Sequence, residues 1–320
     1  MHTLSRSFCW SYSRLTAACL LGLSACGGDA EPATDVSSTL GELTEPILDG
    51  GDATGRWLDA VGALLAPDVP QLGLCTGTLI GPSTVLTAKH CVLGAASLVD
   101  VEFVFAVGPD AFTPRAVYPV TGWAWETSVA ARTDLKYGVY GSDVGIVRLA
   151  SPVAGVRPLA LASLRHSDRG RRFRVVGYGA RDDAGEFGLR QTGRMTLRGI
   201  GGNYADYAFG GLEGFVAAAD SLPEYAGVTA DALPHEYERL GLIPSFQAVF
   251  GGSDPDAQTC DGDSGAPFLA RHRAGLAVVA LAGAGDLASA EHRCAFGSVA
   301  AVLAPTVRDF LHDELDADGK

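Results

Sequence analysis

At 320 residues the chain is long enough for one large domain or two small ones. It is 47% hydrophobic and 19% charged, with 41 glycines, the texture of a compact protein with many tight turns. A formal net charge of -13 argues against nucleic acid as a partner, because phosphates need a basic surface. The first element reads as a targeting segment: Arg6 and Arg14 form a basic start, and Leu15 to Leu23 is an apolar run too short to span a bilayer.

Next comes "LSAC", Leu23 to Cys26, which resembles the lipobox of bacterial lipoproteins. That resemblance implies removal of residues 1–25 and a lipid on Cys26. Gly27 after it points toward an outer membrane. The alternative is an ordinary secretory signal cut nearby. Of the seven cysteines, Cys9 and Cys19 leave with the signal. Cys75, Cys91, Cys260 and Cys294 remain, an even number suited to two disulfides in an oxidising compartment. Three pairings are open to them. An exported protein is therefore expected, touching a membrane only through Cys26 or released outside the cell.

Residues 26–46 are small, polar and acidic, and read as a flexible tether or propeptide. From Ile47 short apolar runs recur between Gly, Pro, Asp and Ser. Examples are "AVGALL" (60–65), "STVLTA" (83–88), "VEFVFAV" (101–107), "VGIVRL" (144–149), "FRVVGYG" (173–179) and "LAVVALAG" (276–283). They are short and rich in β-branched residues, which predicts many strands in a sandwich or barrels. Asn203 to Gly252 breaks the texture and reads as an insertion with one short helix. At the end, Val307, Phe310, Leu311 and Leu315 share a helical face, and Pro305 suits a first turn.

The stretch "AQTCDGDSGAPFL", Ala257 to Leu269, surrounds one serine with acids and glycines. Glycines permit backbone turns that aim N–H groups at a ligand, so Ser264 reads either as a held nucleophile or as part of a polar turn. Two further stretches decide: "GTLIGPSTVLTAKHC" carries His90, and "SDVGIVRL" carries Asp143. In this order the three resemble the trypsin/chymotrypsin family of serine endopeptidases, from about Ile47 to the C-terminal helix apart from the Asn203–Gly252 region. Asp134 is the rival acid but lacks the following apolar strand.

The resemblance implies an all-β fold of two antiparallel six-stranded barrels and a C-terminal α-helix. The peptidase domain is expected over 47–320, with barrels at about 47–165 and 166–320, an insertion at about 203–252 and the barrel boundary near Arg157–Ser163. It also implies roles: Ser264 as nucleophile, His90 as base, Asp143 as its orienter, and the N–H groups of Gly262 and Ser264 as the oxyanion hole. Disulfides Cys75–Cys91 and Cys260–Cys294 follow from it, as does an ion pair between a freed Ile47 amine and Asp263. Pro46 precedes Ile47, and two readings stay open: cleavage there, or an uncut working domain. Gln258 and Gly283 fall in the substrate pocket. With Gln rather than an acid at 258, neutral residues are expected before the scissile bond. The substrate is a protein or peptide; no cofactor or metal is expected. "HEYER", His235 to Arg239, lacks the second histidine of a zinc helix.

Two rival readings compete with this one. "GDS" (262–264) with "DFLH" (309–312) mimics a lipase/esterase pattern, but both lie at the end of a strand-rich chain. A protease-like binding or adhesion protein without turnover is the other.

Overall fold

The computed structural model describes residues 51–69, 74–181, 185–253, 255–272, 275–283, 287–289, 292 and 294–318. Two closed antiparallel barrels of six strands each make the body. The first holds β2 (Val61–Leu65), β3 (Leu74–Leu79), β4 (Thr84–Ala88), β5 (Val104–Val107), β6 (Ala116–Trp125) and β7 (Val144–Leu149), in the ring order β2-β3-β4-β7-β6-β5. The two-residue β1 (Gly51–Asp52) precedes it and lies on the other barrel. Helix α1 (Lys89–Ala96) follows β4 directly.

The short β8 (Ala160–Leu161) runs parallel to a second-barrel strand. The second barrel holds β9 (Arg172–Gly177), β10 (Gln191–Ile200), β11 (Gln247–Phe250), β12 (Pro267–His272), β13 (Gly275–Ala282) and β14 (Ser298–Val302). Pairing of β9 with both β10 and β12 closes the ring. Inward residues alternate along its strands. Phe173, Val175, Met195, Leu197, Phe250 and Phe268 fill this interior, and burial on that scale is the main stabilising term.

A separate apolar cluster joins the barrels. It takes Leu86 and Ile146 from the first and Val176 and Leu281 from the second. Helix α5 (Pro305–Asp318) seals it with Val307 and Leu311, both fully buried, and with Phe310 and Leu315 at its margin. The expected helical face is the one that packs.

Segment 203–246 differs from expectation. It carries three α-helices, α2 (Tyr204–Phe209), α3 (Leu212–Ala218) and α4 (Leu233–Arg239), and its own core of Tyr204, Phe215, Leu233 and Leu240. Asn203 caps α2 by accepting from the Ala205 N–H at 2.8 Å, and left-handed Gly210 ends it. Helices of six and seven residues make no more than about two turns, too few for a clear periodicity in the sequence. The remainder of the expected insertion, Gln247–Phe250, is β11, an integral barrel strand.

Arg190 fastens the two halves. Its guanidinium has no exposed surface and donates to the carbonyls of Ala53 (2.8 Å), Leu58 (2.9 Å) and Gly55 (3.1 Å) and to the Asp59 carboxylate (3.1 Å). Arg115 grips Asp59 through two further bonds of 3.0 and 2.9 Å. Every donor of a buried cation that finds an acceptor lowers the cost of desolvating it. Among the described residues no helix is long and apolar enough to cross a membrane.

Candidate active site

Strand pairing brings His90 to Asp143. β4 and β7 run antiparallel with Ala88 opposite Val144, so the residues just beyond that pair meet at the barrel rim. The Lys89 N–H donates to the Asp143 carbonyl at 3.2 Å, and the His90 N–H donates to Asp143 Oδ1 at 3.0 Å. Asp143 Oδ2 then stands 2.9 Å from His90 Nδ1 and Oδ1 stands 3.1 Å from it. A buried carboxylate in this place holds the proton on Nδ1 and leaves Nε2 as the acceptor. The Tyr140 ring lies 5.5 Å from the imidazole. Asp143 has a left-handed backbone, φ 52°, which a short polar residue tolerates better than a branched one.

A second carboxylate supports that turn. Glu126 is 2% exposed and accepts from the Ser142 hydroxyl at 2.6 Å, from the Val129 N–H at 3.3 Å and from the Ser128 N–H. Burial pushes its pKa up, but these hydrogen bonds outweigh it and hold the carboxyl below its ordinary value. Lys89 Nζ donates to the Glu126 carbonyl at 2.9 Å, so the lysine before His90 has a definite task.

Ser264 comes from the second barrel. Its carbonyl accepts from the Thr76 N–H at 2.8 Å, and Thr76 adjoins Cys75, which is disulfide-bonded to Cys91. The turn lies so close to the β4–α1 junction that a Cβ on Gly265 would stand 2.9 Å from Ala88 N. The half-buried Ser264 is thereby held against the segment that carries His90. Gly262 has φ +96°, a conformation that a side chain would strain. Among the described residues neither the Gly262 nor the Ser264 N–H donates a hydrogen bond.

Thr76 is the residue that motif reading missed. Its fully buried hydroxyl donates to the Gly262 carbonyl at 3.1 Å and accepts from the Tyr178 N–H at 3.2 Å. Its own carbonyl accepts from Thr87 Oγ1 at 2.8 Å. One side chain thus orients the 262 peptide, and one backbone unit ties β3 to both site-bearing turns. Nothing local in the sequence marks it, because its partners lie up to 186 positions away.

Asp263, next to the serine, points inward and is 1% exposed. It accepts from the Gly179 N–H at 2.9 Å and the Cys260 N–H at 3.0 Å. A Cβ on Gly179 would stand 2.8 Å from Asp263 N, so the glycine makes room for the turn. Burial, reinforced by the charge of Asp261, pushes the Asp263 pKa up to about 7 against the pull of those two hydrogen bonds. No cation pairs with it among the described residues. Ile47 and Cys26 lie outside the described residues.

The second disulfide, Cys260–Cys294, is formed as the resemblance implied. Gln258 is 7% exposed; its Oε1 accepts from the Gly297 N–H at 3.0 Å and its Nε2 donates to the Thr259 carbonyl at 3.3 Å. Its polar atoms are thus engaged within the protein. Gly283 donates its N–H to the Val299 carbonyl at 3.0 Å, and a Cβ there would stand 3.4 Å from Asp143 Oδ2. It therefore also abuts the His90–Asp143 pair. Beside His90 an apolar recess of about 360 Å³ opens between the Cys75–Cys91 bond, Leu74, Val92 and Trp123.

The Trypsin family model matches residues 68–200, a stretch that holds His90 and Asp143 and ends before Ser264. A protein named trypsin from Saccharopolyspora erythraea is 25% identical over 227 residues, covering 71% of this chain and 83% of the relative. A cercarial protease from Schistosoma mansoni is 31% identical over 137 residues, 39% of this chain and 51% of the relative. The solved structure of mouse neuropsin, a serine protease, superposes with a TM-score of 0.53 at 16% identity, covering 83% of this chain and 98% of that one. The structural likeness, at 16% identity, supports the fold alone, and in the family match the sequence similarity to proteins of the trypsin type covers fewer than half of this chain's residues.

Proposed function

We propose that the chain is a trypsin-like serine endopeptidase that works through Ser264, His90 and Asp143. The observation that carries the reading is the His90 Nδ1–Asp143 Oδ2 contact of 2.9 Å at the rim where the Ser264 turn arrives. Ser264 Oγ attacks the scissile carbonyl carbon while its proton passes to His90 Nε2. The carbonyl π pair moves to oxygen, and the N–H groups of Gly262 and Ser264 stabilise that charge. Collapse breaks the C–N bond, and the leaving amine takes the proton from His90. Water then repeats the sequence on the acyl-enzyme, releasing the acid and restoring Ser264. Asp143 fixes the tautomer and stabilises the imidazolium without taking the proton.

The reading includes the Ile47–Asp263 pair. Asp52 is opposite Gln191, which is opposite Gly177, and Asp263 Oδ1 lies against Gly177. Two strand spacings, ~10 Å, separate Asp52 from that carboxylate, and five residues of extended chain reach ~17 Å. A freed amine at 47 can therefore reach Asp263 and satisfy its buried charge. Gln258 spends its polar atoms on Gly297 and Thr259 and itself offers no negative charge to a basic side chain. Neutral residues before the scissile bond are the expected preference. Export, with a lipid on Cys26, belongs to the same proposal.

Labelling with a fluorophosphonate tests it. The expected result is one adduct per chain on Ser264, lost in Ser264→Ala and strongly slowed in His90→Ala. A chain that binds peptides but takes no label after cleavage before Ile47 is a binding protein, and the proposal fails.

A further inference from the structure

A second charged feature lies outside this site. On β9 and β10, Phe173, Val175, Met195 and Leu197 point into the second barrel. The alternate positions Arg172, Arg174 and Arg194 therefore face outward. Phe268 and Ala270 point inward on β12, which turns Arg271 outward as well. Register tightens the group: Arg174 is directly opposite Arg194 on one side and Leu269 on the other. These side chains line a groove of about 720 Å³, with Trp57, 59% exposed, at its edge.

Like charges directly opposite on neighbouring strands are destabilising. Here they are scarcely compensated. Arg172 has Asp256 at 3.5 Å. Among the described residues no carboxylate pairs with Arg174, Arg194 or Arg271; Arg174 donates to the Thr192 hydroxyl at 3.0 Å. Partial burial, then the charges of Arg194 and Arg271, push the Arg174 pKa below its ordinary value. A chain of net charge -13 has many acids to place here, yet the groove has gathered arginines.

We propose that this groove on the outer face of the second barrel binds a short anionic oligosaccharide, one bearing sulfate or phosphate esters. Guanidinium forks match such esters through paired, charge-assisted hydrogen bonds. Spacings of ~5 Å across strands and ~7 Å along them suit anions repeated on adjoining sugars. Trp57, with the Arg174 guanidinium 5.5 Å from its ring centre, gives an apolar plate for a sugar face. A flat bilayer does not fit a groove whose one exposed aromatic sits at its edge. Nucleic acid is disfavoured by the long-range field of an acidic protein.

The proposal does not depend on proteolysis. Its test is titration of the full chain with a heparin hexasaccharide, read by fluorescence and by calorimetry at several salt concentrations. Binding should weaken with salt and fall about tenfold in each of Arg194→Ala and Arg271→Ala, the size of one charge-assisted hydrogen bond. The double variant should fall further, with peptidase activity unchanged and the melting temperature no lower, since one member of the opposed pair Arg174 and Arg194 is gone. Trp57→Ala should weaken binding without altering the salt slope. No hexasaccharide binding, or binding that ignores both arginine substitutions, overturns the proposal. So does a preference, through the same arginines, for phosphatidylglycerol vesicles or a single-stranded oligothymidylate.

Discussion

The two barrels bring unequal halves to the candidate site. The first barrel's half is complete within the described residues. His90 and Asp143 are joined by three hydrogen bonds, and Glu126, Ser142 and Lys89 hold the turn beneath them. The second barrel's half is held by Thr76 and by glycine turns, and it buries a carboxylate, Asp263, for which no cation is described. One half is a consequence of strand pairing and needs nothing further. The other stores an electrostatic demand, which a chain terminus arriving from outside would meet. Under the proposed function the contrast would locate control: the base would be preformed, and regulation would act on the nucleophile and the oxyanion donors.

The largest effect should come from the reacting groups. Ser264→Ala or His90→Ala is expected to lower kcat/KM on peptide substrates by about 10⁴-fold or more. Asp143→Asn should cost about 10⁴-fold in kcat, because the imidazole loses the partner that fixes its tautomer. If Asp143→Asn is nearly neutral in steady-state kinetics, the first half is not the machinery described.

Thr76→Val sharpens the comparison from the second half. It strips the Tyr178 N–H and the Gly262 carbonyl of their partner at constant shape. A drop in kcat of about 10²-fold is expected, with KM little changed, as for loss of one oxyanion donor. Thr76→Ser should restore most of it. An equal loss in both variants would point to packing rather than orientation.

The buried carboxylate gives a pH signature. The folded pKa of Asp263 is raised from 3.8 to about 7 in the chain without its cation. The sign follows: between these values the folded state keeps a proton that the unfolded state has lost. That stability is fully present below pH ~4 and is lost as pH rises through about 7. The uncut chain should therefore melt several degrees higher at pH 5 than at pH 8. Cleavage before Ile47 should remove most of the difference by supplying the amine, and Asp263→Asn should flatten it in uncut protein. Scanning calorimetry at the two pH values reads all three. A pH-independent melt of the uncut chain would contradict the picture of an unmet charge.

The smallest effect is expected at Glu126. Glu126→Gln keeps an acceptor for Ser142 but loses its charge and one of the acceptor oxygens that serve Ser128 and Val129. A fall in kcat of about tenfold is predicted, with fluorophosphonate labelling slowed in parallel.

What could be read from sequence divides along the same physical line. His90, Asp143 and Ser264 are recognisable because each sits in a contiguous stretch whose neighbours build its turn: Cys91, Val144 and Gly262 are local signals. The C-terminal helix showed its apolar face through simple periodicity. By contrast Thr76, Glu126 and Arg190 act through partners far along the chain, and no local pattern reveals a hydroxyl that reaches residue 262. Strand β6 escaped notice because Pro119 and Gly122 interrupt it and its alternate residues are exposed. β14, "SVAAV", is too rich in alanine to read as a strand, yet its small side chains suit a fully buried position between β11 and β13. The outward arginines of the second barrel were invisible as a group, since only the register places three strands' residues together.

The most direct measurement is a pre-steady-state burst with an activated ester, using protein cleaved before Ile47. The account predicts release of one leaving group per chain ahead of steady turnover, with the acyl group recovered on Ser264 by peptide mass mapping. Undiminished ester cleavage by Ser264→Ala, or an acyl group found on any other side chain, would contradict it.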